Sequence, residues 1–182
     1  MMTLKNTAQS YGWISIAMHW LMALAIFGLF GLGLYMVELT YYDAWYKGSL
    51  DLHKSIGIIT FSILLLRLFW RSINIKPAEL PAPKWQKMAA HWMHIALYIV
   101  MFLLMLTGYL ISTAKGKAIP VFGLFSIPAL PWTINNQEDI SGLIHATLAW
   151  SLIVMSALHA FAAIKHQFIN KDGALNRMLT PK

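Results

Sequence analysis

The sequence contains no cysteine. This absence excludes disulfide bonds, iron–sulfur clusters held by cysteine and haem attached through cysteine, and it leaves open a haem bound without a covalent link. Charged residues are also scarce, at 12% of the chain, whereas soluble domains contain about 25%. Because 58% of the residues are hydrophobic, we expect residues 1–182 to form a single integral membrane domain.

Four apolar stretches are long enough to cross a bilayer, which takes about 20 residues in helical form. They predict membrane helices over about 14–37, 53–70, 90–112 and 140–165. We therefore expect an all-α fold, a transmembrane four-helix bundle. The connection over 67–90 is rich in proline and should be extended, and the longer connection over 113–139 should fold over the outer membrane surface.

The distribution of charge predicts the orientation of these helices. The two terminal segments and the 67–90 connection together contain ten Lys and Arg against two acidic residues, whereas the other two connections contain four against five. Basic residues favour the cytoplasmic side, so both termini should be cytoplasmic. The net charge of +7 is then explained by topology, and we expect membrane lipid rather than nucleic acid as a partner.

Two histidines, His145 and His159, lie in the fourth predicted helix. They are 14 residues apart, which places them near one helix face and about 21 Å apart along the axis. Ionisable side chains inside a membrane are costly and need a partner. Because neutral imidazole is a common iron ligand, we interpret this helix as carrying one axial ligand for each of two b-type haems stacked across the bilayer.

The depths of two further histidines match those of the first two. His19 lies near the cytoplasmic end of the first helix, as His159 does in the fourth, while His53 and His145 lie near the outer ends of theirs. The matched depths predict an inner haem between His19 and His159 and an outer haem between His53 and His145, held between facing helices. For any single one of these histidines, the alternatives are a hydrogen bond between helices and a location at the membrane boundary.

His91 and His94 open the third predicted helix on the cytoplasmic side. His94 is an alternative to His19 as a ligand of the inner iron. We interpret the pair as a polar pocket beside the inner haem where a quinone could take electrons and protons. The alternative is that they are interfacial polar residues beside Trp92.

Arg67 lies 14 residues after His53 and so shares its helix face at the depth of the inner haem. An arginine at that depth needs a partner, and a haem propionate would accept two hydrogen bonds from its guanidinium. The alternative is a simple cytoplasmic anchor. Several glycines could leave room for a porphyrin: Gly28, Gly31, Gly33 and Gly57.

Several segments resemble the bacterial cytochrome b-561 family over nearly the whole chain. They are SIAMHWLMA around His19, LHKSIG around His53, AHWMH on the third helix and LIHATLAW with SALHAFAAIKH on the fourth. The resemblance implies a dihaem protein of the bacterial inner membrane that moves electrons to or from quinone. By similarity, the haem ligands would be His19, His53, His145 and His159.

The resemblance also implies a choice of activities, because some members oxidise superoxide at the periplasmic face and reduce ubiquinone while others serve partner dehydrogenases. Our first hypothesis is a superoxide:ubiquinone oxidoreductase. An anionic substrate would be steered by positive charge, and the outer side offers Lys47, Lys54, Lys115 and Lys117. The second hypothesis is a non-enzymatic electron-transfer subunit that docks a partner redox protein through the apolar 113–139 connection. The third is a small transporter that relays protons through its histidines.

The charge distribution generates a topology prediction. Reporters fused to the C-terminus or inserted between residues 75 and 83 should give cytoplasmic signals, and a reporter inserted near Gly116 should give a periplasmic one. Paired alkaline phosphatase and fluorescent-protein fusions measure this directly. Reversed signals at all three positions would contradict the orientation while leaving the helix count intact.

Overall fold

The computed structural model describes residues 3–181. Four α-helices account for most of this range: α1 Trp13–Val37, α2 Tyr46–Ile73, α3 Lys84–Thr113 and α4 Gln137–Lys165. All four are long and apolar enough to cross a membrane. The predicted four-helix membrane fold is therefore confirmed.

The helices extend beyond the apolar stretches from which they were predicted. α2 begins at Tyr46, seven residues before the predicted start, and α3 begins at Lys84, directly after Pro83. Hydropathy marks only the part of a helix that lies among apolar groups, whereas the backbone ladder continues through polar ends. The added turn of α2 holds Ser49, which is fully buried and donates a hydrogen bond of 2.9 Å to the Tyr46 carbonyl.

Most of the apolar helix surface is not covered by the protein itself. Within the apolar windows of the four helices, between 6% and 17% of the residues are buried. Large side chains such as Leu24, Leu143 and Phe161 are more than half exposed. A soluble monomer rarely exposes so much contiguous apolar surface. These faces are therefore suited to contact lipid.

The chain forms two compact units, and every helix contributes a part to each. The first unit comprises Met1–Ala23, Ile63–Ile99 and Leu152–Lys182, and the second comprises Leu24–Ser62 and Val100–Ser151. His19, His94 and His159 belong to the first unit, whereas His53 and His145 belong to the second. The expectation that residues 1–182 form one membrane domain stays a prediction.

Hydrogen bonds join three segments of the first unit at one end of its helices. Asn6 donates to the Ile75 carbonyl at 3.0 Å, and the Ala78 amide donates to the Ala8 carbonyl at 2.8 Å. Arg177 donates to the Ala78 carbonyl at 2.6 Å. The two terminal segments and the α2–α3 connection therefore lie together, as an even number of crossings requires. That this end is cytoplasmic stays a prediction.

A short antiparallel hairpin lies between α3 and α4 in the second unit. β1, Ile119–Val121, pairs with β2, Phe125–Ile127. Ile119 and Val121 are buried, so the hairpin packs its apolar side chains inward. The all-α expectation missed this hairpin because strands of three residues are too short to show an alternating pattern.

The hairpin turn is attached to α2 by Ser55. Phe122 has a φ of 50°, an uncommon conformation for a residue other than glycine. Its amide donates a hydrogen bond of 3.0 Å to the Ser55 hydroxyl, which is itself buried. This bond gives the turn a polar partner that its own strands do not provide.

Ser55→Ala should therefore loosen the hairpin. Leaving the Phe122 amide without an acceptor costs about 1–3 kcal/mol, which raises the open population roughly tenfold. Limited proteolysis at residues 122–124, followed by mass spectrometry, measures this. Ser62→Ala is the matched control, because the exposed Ser62 hydroxyl bonds only to the Ile58 carbonyl of its own helix. Equal cleavage rates in the two variants would contradict the assigned role of Ser55.

Candidate functional site

Histidines on different helices face each other in both units. In the second unit, the imidazole centroids of His53 on α2 and His145 on α4 are 6.3 Å apart, with ring planes inclined by 68°. In the first unit, His19 on α1 and His159 on α4 have the same separation of 6.3 Å and the same angle of 68°. The structure thus brings together the pairs that matched in depth.

This separation suits one metal ion held between two imidazoles. A metal–nitrogen bond to histidine is about 2.0–2.1 Å long, and the nitrogen lies about 1.1 Å from its ring centroid. Two rings on opposite sides of one metal therefore have centroids about 6 Å apart. The 6.3 Å measured in both pairs agrees with this arrangement.

Glycines on neighbouring helices leave space for both imidazoles of the second unit. A Cβ atom on Gly108 of α3 would lie 3.1 Å from Cε1 of His145, and one on Gly33 of α1 would lie 3.4 Å from Cε1 of His53. A contact of 3.1 Å is closer than side chains normally tolerate. The sequence predicted that Gly33 could leave room for a porphyrin. In the structure it lies beside the imidazole of His53. Gly108 was missed, and its place in an apolar helix beside Thr107 was the available signal.

The hydrogen bonds of His145 define which ring nitrogen can bind a metal. Its Nδ1 lies 3.0 Å from the Leu104 carbonyl oxygen and 3.2 Å from the Thr107 hydroxyl. A carbonyl can only accept, so Nδ1 donates to it and carries the hydrogen. Nε2 then keeps its lone pair, as is usual for a metal-binding histidine. Nδ1 of His53 is buried and has no hydrogen-bond partner within residues 3–181.

A third imidazole, that of His94, lies in the first unit. Its centroid is 5.1 Å from that of His159, which is shorter than two rings across a metal require. His94 is also exposed on the surface of the described chain. His91 is exposed as well, and its ring lies 5.8 Å from that of its neighbour Trp92. His91 lies one turn before His94 on α3, and within residues 3–181 its ring makes no ring–ring contact with another histidine.

Arg67 lies beside the histidines of the first unit, as its spacing from His53 predicted. Its Nε donates to the Tyr98 hydroxyl at 2.9 Å, and its Nη2 lies 3.2 Å from Nδ1 of His19. Arg71, one turn later, has its guanidinium 5.5 Å from the centre of the Tyr98 ring. None of the ion pairs in the described residues involves either arginine. Tyr98 and Arg71 were missed from sequence, although Arg71 follows Arg67 at a spacing that shares a helix face.

The contact between Arg67 and His19 has a consequence for metal binding. A guanidinium only donates hydrogen bonds, so Nδ1 of His19 must be the acceptor in this contact. The hydrogen of a neutral ring then sits on Nε2, which removes the lone pair needed to bind a metal there. The Arg67 contact and metal binding through Nε2 of His19 are therefore alternatives.

The lysines that were predicted to lie on the outer side differ in their freedom to attract an anion. Lys115 forms an ion pair of 2.9 Å with Glu138, whose hydrogen bond and charge raise the pKa of Lys115. Its charge is thus offset locally. Lys47 and Lys117 are exposed, and within residues 3–181 neither forms an ion pair.

Comparison with known proteins decides the family. A family model described as prokaryotic cytochrome b561 matches residues 10–181. The chain belongs to the prokaryotic cytochrome b561 family. The cytochrome is 48% identical to cytochrome b561 homolog 2 of Escherichia coli (strain K12), over 98% of this chain and 95% of the relative. It is 35% identical to cytochrome b561 homolog 1 of the same organism, over 71% of this chain and 73% of the relative.

A more distant relative carries a different name. The cytochrome is 27% identical to a protein of Yersinia pestis named probable superoxide oxidase CybB, over 96% of this chain and 98% of the relative. The resemblance found in the sequence is thereby confirmed at the level of the family. Family membership and the four apolar helices make this chain a multi-pass bacterial membrane cytochrome that works in electron transport with b-type haem.

The residues present fit a b-type haem. Such a haem needs axial nitrogen donors, apolar surroundings and cations for its propionates. The cytochrome provides imidazole pairs at a suitable separation within apolar helices, and Arg67 and Arg71 are cations without acidic partners in the described residues. The hydrogen of the His145 ring lies on Nδ1, so Nε2 has the lone pair that an iron ligand needs.

Proposed function

We propose that the cytochrome holds two haem b groups, one between His19 and His159 and the other between His53 and His145. We further propose that it carries electrons across the inner membrane from superoxide at the periplasmic face to ubiquinone. The observation that carries the two-haem arrangement is the recurrence of one geometry, 6.3 Å and 68°, in two separate histidine pairs.

The haem would supply reversible one-electron storage on iron, and the chain supplies the rest. Gly33 and Gly108 let the imidazoles of the second unit pack against neighbouring helices. The Leu104 carbonyl holds the hydrogen of His145 on Nδ1 and so keeps Nε2 available. In the first unit, binding through Nε2 of His19 requires Arg67 to leave Nδ1, which makes its guanidinium available to a propionate.

His94 is better suited to a quinone than to iron. The 5.1 Å between its ring and that of His159 is too short for two ligands on opposite sides of one metal. Its exposure allows a quinone carbonyl to approach from the membrane, where an imidazole can hydrogen-bond to it and deliver a proton. We place the quinone pocket at His94, with His91 one turn earlier at its outer edge.

Superoxide as the donor is supported by the name of the Yersinia pestis relative and by the lysines predicted on the outer side. Two superoxide ions would release two dioxygen molecules and two electrons. With two protons, these electrons would reduce one ubiquinone to ubiquinol. Lys47 and Lys117 provide positive charge that is not offset by an ion pair in the described residues, and such charge speeds the encounter with a small anion.

A second candidate is an electron-transfer subunit that receives electrons from a partner redox protein. It is favoured by one observation, the apolar tip of the hairpin. Phe122, Leu124 and Phe125 are 53%, 83% and 49% exposed there. Apolar side chains exposed together are typical of protein or membrane contacts.

Each haem should depend on its own pair of histidines. Wild-type protein should contain about two haems per chain, measured as the pyridine haemochrome. His53→Ala or His145→Ala should remove the haem of the second unit, and His19→Ala or His159→Ala the haem of the first, because each replacement would remove one of the two bonds between histidine and iron that hold that haem. Each class should retain about one haem.

His94→Ala is the matched control for these replacements, since it removes an imidazole from the same cluster without removing a proposed ligand. It should retain both haems. If His94→Ala lost a haem and His19→Ala retained both, the ligand would be His94 on α3 and the assignment of His19 would be wrong. A wild-type stoichiometry near one would contradict the two-haem arrangement.

Stopped-flow kinetics should separate a donor side from an acceptor side. Replacing Lys47 and Lys117 together by Gln should slow haem reduction by superoxide severalfold and weaken its salt dependence, because attraction between exposed charges is screened over about 8 Å at physiological ionic strength. His94→Ala should leave that reduction unchanged and slow reoxidation by a ubiquinone analogue about tenfold or more.

Lys115→Gln is the control on the donor side, because Glu138 already offsets its charge. It should change the rate of reduction less than the Lys47 and Lys117 double replacement does. If superoxide reduced the wild-type haems no faster than it dismutates spontaneously, the enzyme proposal would fail. The partner-linked electron carrier would then be the better account.

A further inference from the structure

Tyr98 on α3 contacts the two arginines that α2 contributes to the first unit. Its hydroxyl oxygen accepts a hydrogen bond of 2.9 Å from Nε of Arg67. The guanidinium of Arg71, one turn later on α2, lies 5.5 Å from the centre of the Tyr98 ring, a distance typical of a cation–π contact. One partly buried side chain of α3 thus holds two cations of α2, each by a different group.

Carboxylates do not hold these arginines in the part of the chain that the structure describes. None of the ion pairs there involves Arg67 or Arg71. The other partner of Arg67 is the imidazole of His19, whose Nδ1 is 3.2 Å from Nη2. That contact and iron binding through Nε2 of His19 exclude each other, whereas the hydrogen bond from Nε of Arg67 to Tyr98 is compatible with both.

A guanidinium that is held through Nε keeps its other end available to a carboxylate. It has five N–H donors in one plane, and its two terminal nitrogens form a fork that matches the two oxygens of a carboxylate. Nη1 of Arg67 makes no hydrogen bond within residues 3–181, and Nη2 becomes available when the contact with His19 breaks. The bond to Tyr98 restricts rotation of the long arginine side chain, so the fork stays beside His19 in either case.

We propose that Tyr98 is the positioning residue of the haem site in the first unit. Its hydroxyl holds Arg67 while the guanidinium moves from His19 to a haem propionate, and its ring holds Arg71 as a second cation. This inference rests on the two-haem arrangement proposed above. Tyr98 acts through the two arginines and is therefore not a catalytic residue.

Haem release from the purified full-length protein tests this role. His145→Ala and His159→Ala, each of which should keep one haem, report on the first and the second unit separately. With excess apomyoglobin as the haem acceptor, Tyr98→Phe should release the haem of the first unit about tenfold faster, because it removes a hydrogen bond to a charged group and keeps the aromatic ring. The same replacement should leave the release of the second-unit haem unchanged.

Tyr109→Phe is the matched control, because Tyr109 is the other tyrosine of α3. Its hydroxyl donates a hydrogen bond of 2.9 Å to the Pro128 carbonyl. Removing this hydroxyl should leave the release of the first-unit haem at the wild-type rate.

A double-mutant cycle tests whether Tyr98 acts through Arg67. Arg67→Gln should speed the release of the first-unit haem at least as much as Tyr98→Phe does. The combined variant should release it no faster than Arg67→Gln alone, because the hydroxyl then has no guanidinium to hold.

Resonance Raman spectra separate positioning from simple packing of α2 against α3. The bending mode of the haem propionates responds to the hydrogen bonds that they accept. In the His145→Ala background, Tyr98→Phe should shift this mode of the first-unit haem to lower frequency. A tyrosine that only packed the two helices together would leave the mode in place.

The outcomes distinguish this inference from the two-haem arrangement. If wild-type protein held one haem, both would fail. If it held two, an unchanged release rate in Tyr98→Phe, an unmoved propionate mode or additive effects in the cycle would overturn the inference alone. Loss of only the first-unit haem from both Tyr98→Phe and Arg67→Gln would support it. Loss from Tyr98→Phe with retention in Arg67→Gln, or loss of both haems from Tyr98→Phe, would overturn it, because the hydroxyl would then act by another route.

Discussion

An imidazole inside an apolar helix needs a partner, and the arrangement of this cytochrome depends on how that need is met. At 6.3 Å between centroids, the paired rings of His53 and His145 are too far apart to hydrogen-bond to each other. A hydrogen bond from Nδ1 to the Leu104 carbonyl satisfies one nitrogen of His145 and leaves the lone pair on Nε2. Under the proposed arrangement, a metal between the rings would meet this need, because it would take one lone pair from each imidazole. The glycine at position 108 follows from the same requirement, since a side chain there would displace the ring.

The pairing of the histidines could be predicted from the sequence because a helix has a fixed rise. Once the spans were placed, the depth of His19, His53, His145 and His159 followed from residue number alone, and the structure brings the matching rings together. The place of His94 could not be decided in that way. Its depth suits the first unit as well as that of His19 does, and only the distances of 5.1 Å and 6.3 Å to His159 separate them. Those distances depend on how α1 and α3 pack against α4.

Other features were outside the reach of sequence patterns for physical reasons. The acceptor for His145 is the backbone carbonyl of Leu104. Every residue has a backbone carbonyl, so the residue type does not show which carbonyl accepts this hydrogen bond. The hairpin depends on Phe122 at a φ of 50°, a conformation that phenylalanine does not favour and that a hydroxyl 67 positions earlier in the chain stabilises. The ends of α2 and α3 were placed too far inward because Tyr46 and Lys84 lie among polar residues. Hydropathy describes the environment of a helix, whereas its length is determined by backbone hydrogen bonds.

The arginines of α2 link the topology of the chain to its chemistry. Basic residues are retained at the cytoplasmic ends of membrane helices because they orient the chain during insertion. In the predicted orientation, Arg67 and Arg71 would serve that purpose, and Arg67 also reaches the ring of His19. Under the predicted orientation and the proposed haem arrangement, the arginines that orient the helices would also lie beside the inner haem, where Arg67 would turn from His19 to a propionate.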